Sequence, residues 1–117
     1  SIVLRLQTGK ISFLLTADSD AETEHALIMN RSVPTSTVLK VAHHGSVTAT
    51  TGEFLSVVSP QVAVISVGAE NRYNHPGLEV VARLRQALEE NDIYRTDIHG
   101  TIEFATDGAR LWVKKTK

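Results

Sequence analysis

Two short runs rich in β-branched and apolar residues set the terms on which this chain can fold. Residues 37–42 read Thr-Val-Leu-Lys-Val-Ala, and residues 62–67 read Val-Ala-Val-Ile-Ser-Val. Runs of this kind read as buried strands. Each ends in a polar segment: His43-His44-Gly45-Ser46 after the first, and residues 68–75 after the second. Helical patterns lie between and beyond them. Residues 52–58 form a short helix that stops before Pro60. Pro76 suits the first position of a longer helix through Glu90, because its missing N–H costs nothing there. Leu78, Val81, Leu84, Arg85 and Leu88 give that helix a mostly apolar face.

Toward the amino terminus, residues 1–6 and 11–16 read as a hairpin around residues 7–10. Ser19 followed by Glu22 matches a capping box, so a helix is expected from Asp20 to about Asn30. Toward the carboxyl terminus, residues 92–96, 101–105 and 109–114 read as strands, with His99-Gly100 and Asp107-Gly108 as turns. Strands alternating with helices, flanked by hairpins, predict an α/β domain: a mixed β-sheet with flanking helices.

The chain has 117 residues, enough for one domain. Its 12 basic and 13 acidic residues leave a net charge of −1. That balance argues against a domain holding nucleic acid mainly by charge, and leaves catalysis open. Without cysteine, disulfides, thiolate metal sites and cysteine nucleophiles are excluded. No apolar run approaches the roughly 20 residues of a membrane span. Ser1 leads directly into Ile2-Val3-Leu4, which reads as a piece of a longer protein.

Chemistry-bearing residues gather at the carboxyl ends of the expected strands, where open α/β sheets bind ligands. Asp18 follows the 11–16 strand and reads equally as a helix cap. His43 and His44 close the 37–42 strand. Alternation along a strand allows one of them into a given site and leaves the other to pack or to support it. Gly45 permits a tight turn. Asn71, Tyr73, Asn74 and His75 form a donor-rich loop, although His75 also reads as an ordinary helix start. Asp97 and His99 read as turn residues, and His25 as a surface or core position.

The segments Leu14-Leu15-Thr16-Ala17-Asp18, Leu39-Lys40-Val41-Ala42-His43-His44-Gly45-Ser46, Val64-Ile65-Ser66-Val67-Gly68, Asn71-Arg72-Tyr73-Asn74-His75-Pro76 and Tyr94-Arg95-Thr96-Asp97, leading into His99-Gly100-Thr101-Ile102, occur in this order. Together they resemble the second half of the metallo-β-lactamase-like domain of ComEC-type DNA-uptake proteins. The resemblance implies that residues 1–117 are one unit, half of a four-layer αββα metallo-β-lactamase fold. It implies metal ligation by Asp18, as a bridge between two ions, and by His44, with His43 in support or as the alternative. His75 and Asn74 would act on the substrate, and Ser46, Tyr73, Asn71, Asp97 and His99 would line its pocket. The implied cofactor is zinc or manganese, and the implied substrate is DNA. The parent protein would sit in the cytoplasmic membrane with this domain outside it.

Two features depart from the family pattern. Position 17 is Ala where the family has Gly, which is tolerable only if the backbone there avoids positive φ. The family's His-x-His-x-Asp-His motif has no counterpart in the chain. The piece alone is therefore expected to bind metal weakly, to be inactive, and to expose an apolar sheet face. That face would be covered by the missing amino-terminal half or by a second copy. A hydrolase acting on another ester and a non-catalytic structural domain are the alternative readings.

Overall fold

The computed structural model describes residues 2–68 and 75–117. Five strands form the main sheet in the order β1 to β5: β1 (Leu4–Thr8), β2 (Ile11–Leu15), β3 (Val38–Lys40), β4 (Val62–Ile65) and β5 (Ile93–Arg95). β1 pairs antiparallel with β2, and β2 through β5 run parallel. The expected mixed sheet is present. The strands are shorter than the apolar runs that encode them. β3 ends at Lys40 and β4 at Ile65, so the residues beyond are free to build loops.

Three helices connect the parallel strands: α1 (Ala21–Met29), α2 (Gly52–Val58) and α3 (Leu78–Ala87). Their apolar residues meet one sheet face. Leu14, Leu39, Ala63, Ile65 and Ile93 from the strands pack with Phe54, Leu55 and Val58 of α2 and Val80, Val81 and Leu84 of α3. Helix α1 starts one residue later than the sequence suggests. Its cap is Asp20, whose carboxylate accepts from the Thr23 N–H at 2.9 Å. Ser19, the expected cap, is buried, and its hydroxyl has no hydrogen-bond partner among the described residues. Pro76 lies before α3, whose cap is Gly77. Leu78 at the first turn is exposed rather than part of the packed face.

The carboxyl-terminal strands leave the main sheet. β6 (Ile102–Thr106) and β7 (Leu111–Lys115) form their own antiparallel pair. The hairpin lies against the sheet face opposite the helices, where Phe104 meets Phe13 edge-on at 5.9 Å. The Lys10 N–H donates to the Gly108 carbonyl at 2.6 Å. A Cβ at Gly9 would fall 2.3 Å from the Gly108 oxygen, so the β1–β2 and β6–β7 turns touch backbone to backbone. On this face Val38 and Val62 are buried, whereas Leu4 and Leu6 of β1 are exposed. A four-residue helix α4 (Thr96–His99) links β5 to β6. Among the described residues no helix is long and apolar enough to cross a membrane.

Candidate functional site

Three loops meet at the carboxyl ends of β2, β3 and β4, and backbone hydrogen bonds lock them together. The His43 N–H donates to the Ala17 carbonyl at 2.8 Å, joining the loop after β2 to the loop after β3. The Gly77 N–H donates to the Gly45 carbonyl at 2.8 Å, joining the loop after β3 to the segment that enters α3. A Cβ on Gly45 would lie 2.6 Å from the Pro76 Cβ, and one on Gly77 would lie 2.3 Å from a Val47 methyl. Gly45 is required by this crossing, since its φ is left-handed and a Cβ would also meet the Pro76 backbone, whereas at Gly77 the exposed Val47 side chain could turn aside.

The histidine pair does not continue the strand. His43 (φ 51°, ψ 44°) and His44 (φ 54°, ψ 27°) are both left-handed, and Gly45 follows at φ 86°. Strand alternation therefore does not decide which ring faces the site. The two rings are placed instead by a left-handed turn, and both are exposed. His44 Nδ1 lies 2.7 Å from the Ser66 carbonyl oxygen. A carbonyl only accepts, so Nδ1 carries the proton, and in the neutral ring Nε2 is left with a free lone pair. His43 meets the ring of His75 edge-on at 5.8 Å. Partial burial, with His43 and His44 close by, holds the His75 imidazole below its ordinary pKa.

Asp18 sits one residue after Ala17 and is exposed. Among the described residues its carboxylate makes no hydrogen bond or ion pair, and the capping role belongs to Asp20. Ala17 does take a positive φ, 51°, contrary to the expectation that Ala there implies an ordinary backbone. The left-handed turn is kept and its strain is accepted.

The remaining expected residues divide. Ser46 is buried, and its hydroxyl is engaged within its own loop with the Thr48 hydroxyl at 2.8 Å. Asp97 forms a two-pronged ion pair with Arg95, at 3.0 and 2.7 Å. His99 Nδ1 accepts the Arg95 N–H at 3.0 Å, which closes the turn after β5. The His99 ring lines a separate cleft of about 400 Å³ with Tyr94, Arg85 and Lys115. Asn71, Tyr73 and Asn74 lie outside the described residues.

Three contributors escaped the sequence reading. Glu24 of α1 is 1% exposed and accepts the N–H groups of Thr50 (2.6 Å) and Thr51 (3.0 Å). It thereby fixes the loop that continues from His43-His44, in which Thr50 is itself left-handed (φ 57°). Arg83 donates to the Ala49 and Thr50 carbonyls from the other side. Burial pushes the Glu24 carboxyl above its ordinary pKa against these bonds. Thr96 uses one hydroxyl to accept the Val67 N–H (2.7 Å) and to donate to the Val67 carbonyl (2.8 Å), holding the exit from β4. The polar 48–51 loop was the only sequence signal for Glu24, since its N–H groups need acceptors.

Among the described residues no three His, Asp or Glu side chains come together as a metal-holding group. Asp18 and the free Nε2 of His44 are donors of suitable chemistry. By themselves they do not make up a site for a divalent ion.

The arrangement defines an α/β domain whose polar cluster lies at the carboxyl edge of a mainly parallel sheet. The chain is similar to ComE operon protein 3 of Bacillus subtilis, with 40% identity over 106 residues, covering 89% of this chain and 13% of that protein. It is 39% identical over 105 residues to competence protein ComA of Neisseria gonorrhoeae, covering 89% of this chain and 15% of that protein. It is 35% identical over 119 residues to recombination protein 2 of Haemophilus influenzae, covering 100% of this chain and 15% of that protein. Over the segment they share, this chain belongs with the ComEC-type competence proteins, and it spans about one-seventh of their length. No protein-family model and no solved structure matches it.

Proposed function

We propose that this chain forms one side of the catalytic cleft of a metal-dependent phosphodiesterase or nuclease, within a competence protein that takes up DNA. The observation that carries the reading is that Asp18, His43-His44 and His75 stand on loops joined by backbone hydrogen bonds at the carboxyl ends of β2, β3 and β4, with the His43 and His75 rings in contact. Asp18 and His44 would ligate zinc or manganese, and His75 would face the substrate. The other ligands have to come from elsewhere in the parent protein, so the chain alone would be inactive. The chain would then be half of a four-layer αββα metallo-β-lactamase fold. Helices α1 to α3 lying on one sheet face support this, with Leu4 and Leu6 exposed on the other beside the β6–β7 hairpin. The part of that face at β1 which the β6–β7 hairpin leaves open would meet the rest of the domain or a second copy. The domain would lie outside the cytoplasmic membrane that anchors the parent.

The test is cleavage of single- and double-stranded DNA by the complete parent domain, with zinc or manganese supplied. Asp18→Ala and His44→Ala are each expected to lower the rate by at least a hundredfold with the fold retained by circular dichroism. No cleavage with either metal would leave the domain as a scaffold.

A further inference from the structure

At the opposite end of the sheet, where the parallel strands begin, lies a cleft of about 240 Å³ lined by polar residues. They include Arg5 and Gln7 of β1, Lys10 of the β1–β2 turn, Ser12 of β2, and Thr37 and Gln61, which precede β3 and β4. Among the described residues no carboxylate lines it. Register explains the grouping. Gln7 lies opposite Ser12, and Arg5 opposite Leu14, so Arg5, Gln7 and Ser12 share the helix-side face. They lie below the packed apolar cluster.

Ser12 and Thr37 are 5% and 8% exposed, and they are cross-linked. The Thr37 hydroxyl accepts the Ser12 N–H at 3.0 Å, and the Ser12 hydroxyl accepts the Thr37 N–H at 3.1 Å, sharing it with the Ser12 carbonyl at 3.0 Å. Each oxygen is used as an acceptor, so each hydroxyl keeps its proton to donate. Among the described residues nothing receives either proton. The Arg5 guanidinium is oriented by Gln7 Oε1 (2.8 Å) and the Thr35 carbonyl (3.1 Å). Two of its roughly five N–H donors are spent there, and the others remain. The Lys10 ammonium has no acceptor among the described residues, and its backbone is fixed by the bond to Gly108.

The geometry points to a binding site for a phosphate group in this cleft. Two cations and two buried hydroxyl donors, with no opposing carboxylate, match a tetrahedral oxyanion that only accepts. Backbone N–H groups hold the hydroxyls in place, so little ordering is needed on binding. The site is at the far end of the sheet from His43, His44 and His75, and it stands whether or not those residues take part in hydrolysis.

The experiment is a titration of the chain with inorganic phosphate, followed by amide NMR. The Ser12, Thr37 and Gln61 resonances are expected to shift and saturate, with those of His43 to Gly45 unmoved and no effect of chloride at matched ionic strength. Lys10→Gln, an exposed change that leaves the core alone, is expected to weaken binding about tenfold, the scale of one charge-assisted hydrogen bond. Thr37→Val should weaken it as well. Absence of saturable shifts at these amides up to tens of millimolar phosphate, or an unchanged titration in Lys10→Gln, overturns the site. A competing arm with short single-stranded oligothymidylate identifies the source. Displacement of phosphate assigns the group to a DNA backbone. Retained phosphate binding without displacement assigns it to a small phosphate compound.

Discussion

At the scale of single residues, the loop cluster depends on backbone conformations that ordinary side chains resist. Ala17, His43, His44 and Thr50 all have positive φ, which costs an L-residue roughly 1–2 kcal/mol each. Four such residues in the loops that meet the cluster make it a place where strain is held by surrounding hydrogen bonds. Ala17 is the simplest to relieve, since glycine takes φ 51° without a Cβ penalty. Part of the gain is returned through greater freedom of the unfolded chain. Ala17→Gly is therefore expected to raise stability by about 0.5–1 kcal/mol in urea denaturation. Gly45→Ala should do the reverse, at about 2 kcal/mol or more, because φ 86° and the 2.6 Å approach to Pro76 both oppose a methyl group. A neutral Gly45→Ala would mean that the loops do not cross this closely.

At the scale of elements, α1 matters through one side chain. Glu24 reaches from α1 to the loop before α2 and gives each carboxylate oxygen a backbone N–H. Those bonds and Arg83 favour the charged form, while burial disfavours it and prevails, so the folded pKa is raised. The sign follows. The folded chain binds the proton more tightly than the unfolded chain, so this group's contribution is intact below the unfolded value of 4.5 and is lost as pH rises through the folded pKa. Glu24→Gln cannot titrate, and it turns an amide N–H₂ toward a backbone N–H, at about 1–3 kcal/mol. The stability gap between wild type and Glu24→Gln is expected to be widest near pH 4 and to narrow toward pH 7. A gap that widens with pH would show that the two N–H donors outweigh burial. Helix, strand and loop order were legible in the sequence because apolar runs and breakers are local signals. Asp18, the histidine pair and His75 were legible as strand-end residues for the same reason. Neither the left-handed turn at His43-His44 nor the role of Glu24 was. Histidine carries no mark of positive φ, and the partners of Glu24 are 26 and 27 positions away.

At the scale of the molecule, the carboxyl-terminal hairpin is the feature whose placement the sequence left open. Its strands were readable from their alternation, β6 burying Ile102, Phe104 and Thr106 more than Glu103 and Ala105. Their separation into a second sheet was not, because it depends on what lies across from Phe104. An isolated two-stranded hairpin is marginal in water, so this pair depends on the face it covers. Phe13–Phe104 and Lys10–Gly108 are the contacts that hold it there. Both ends of the chain thus meet over β2, and the Lys10 side chain in the phosphate cleft is placed partly by the hairpin turn. Phe104 is half-buried, so Phe104→Ala is expected to cost about 1–3 kcal/mol, less than the 3–5 of a fully enclosed ring. The loss should be local. Amide hydrogen exchange in β6 and β7 is expected to quicken by about ten- to a hundredfold, while the amides of Leu39 and Ala63 in the central strands change little. Equal acceleration in both would show instead that hairpin and sheet open as one unit, so that damage at the carboxyl terminus reaches the histidine loops directly.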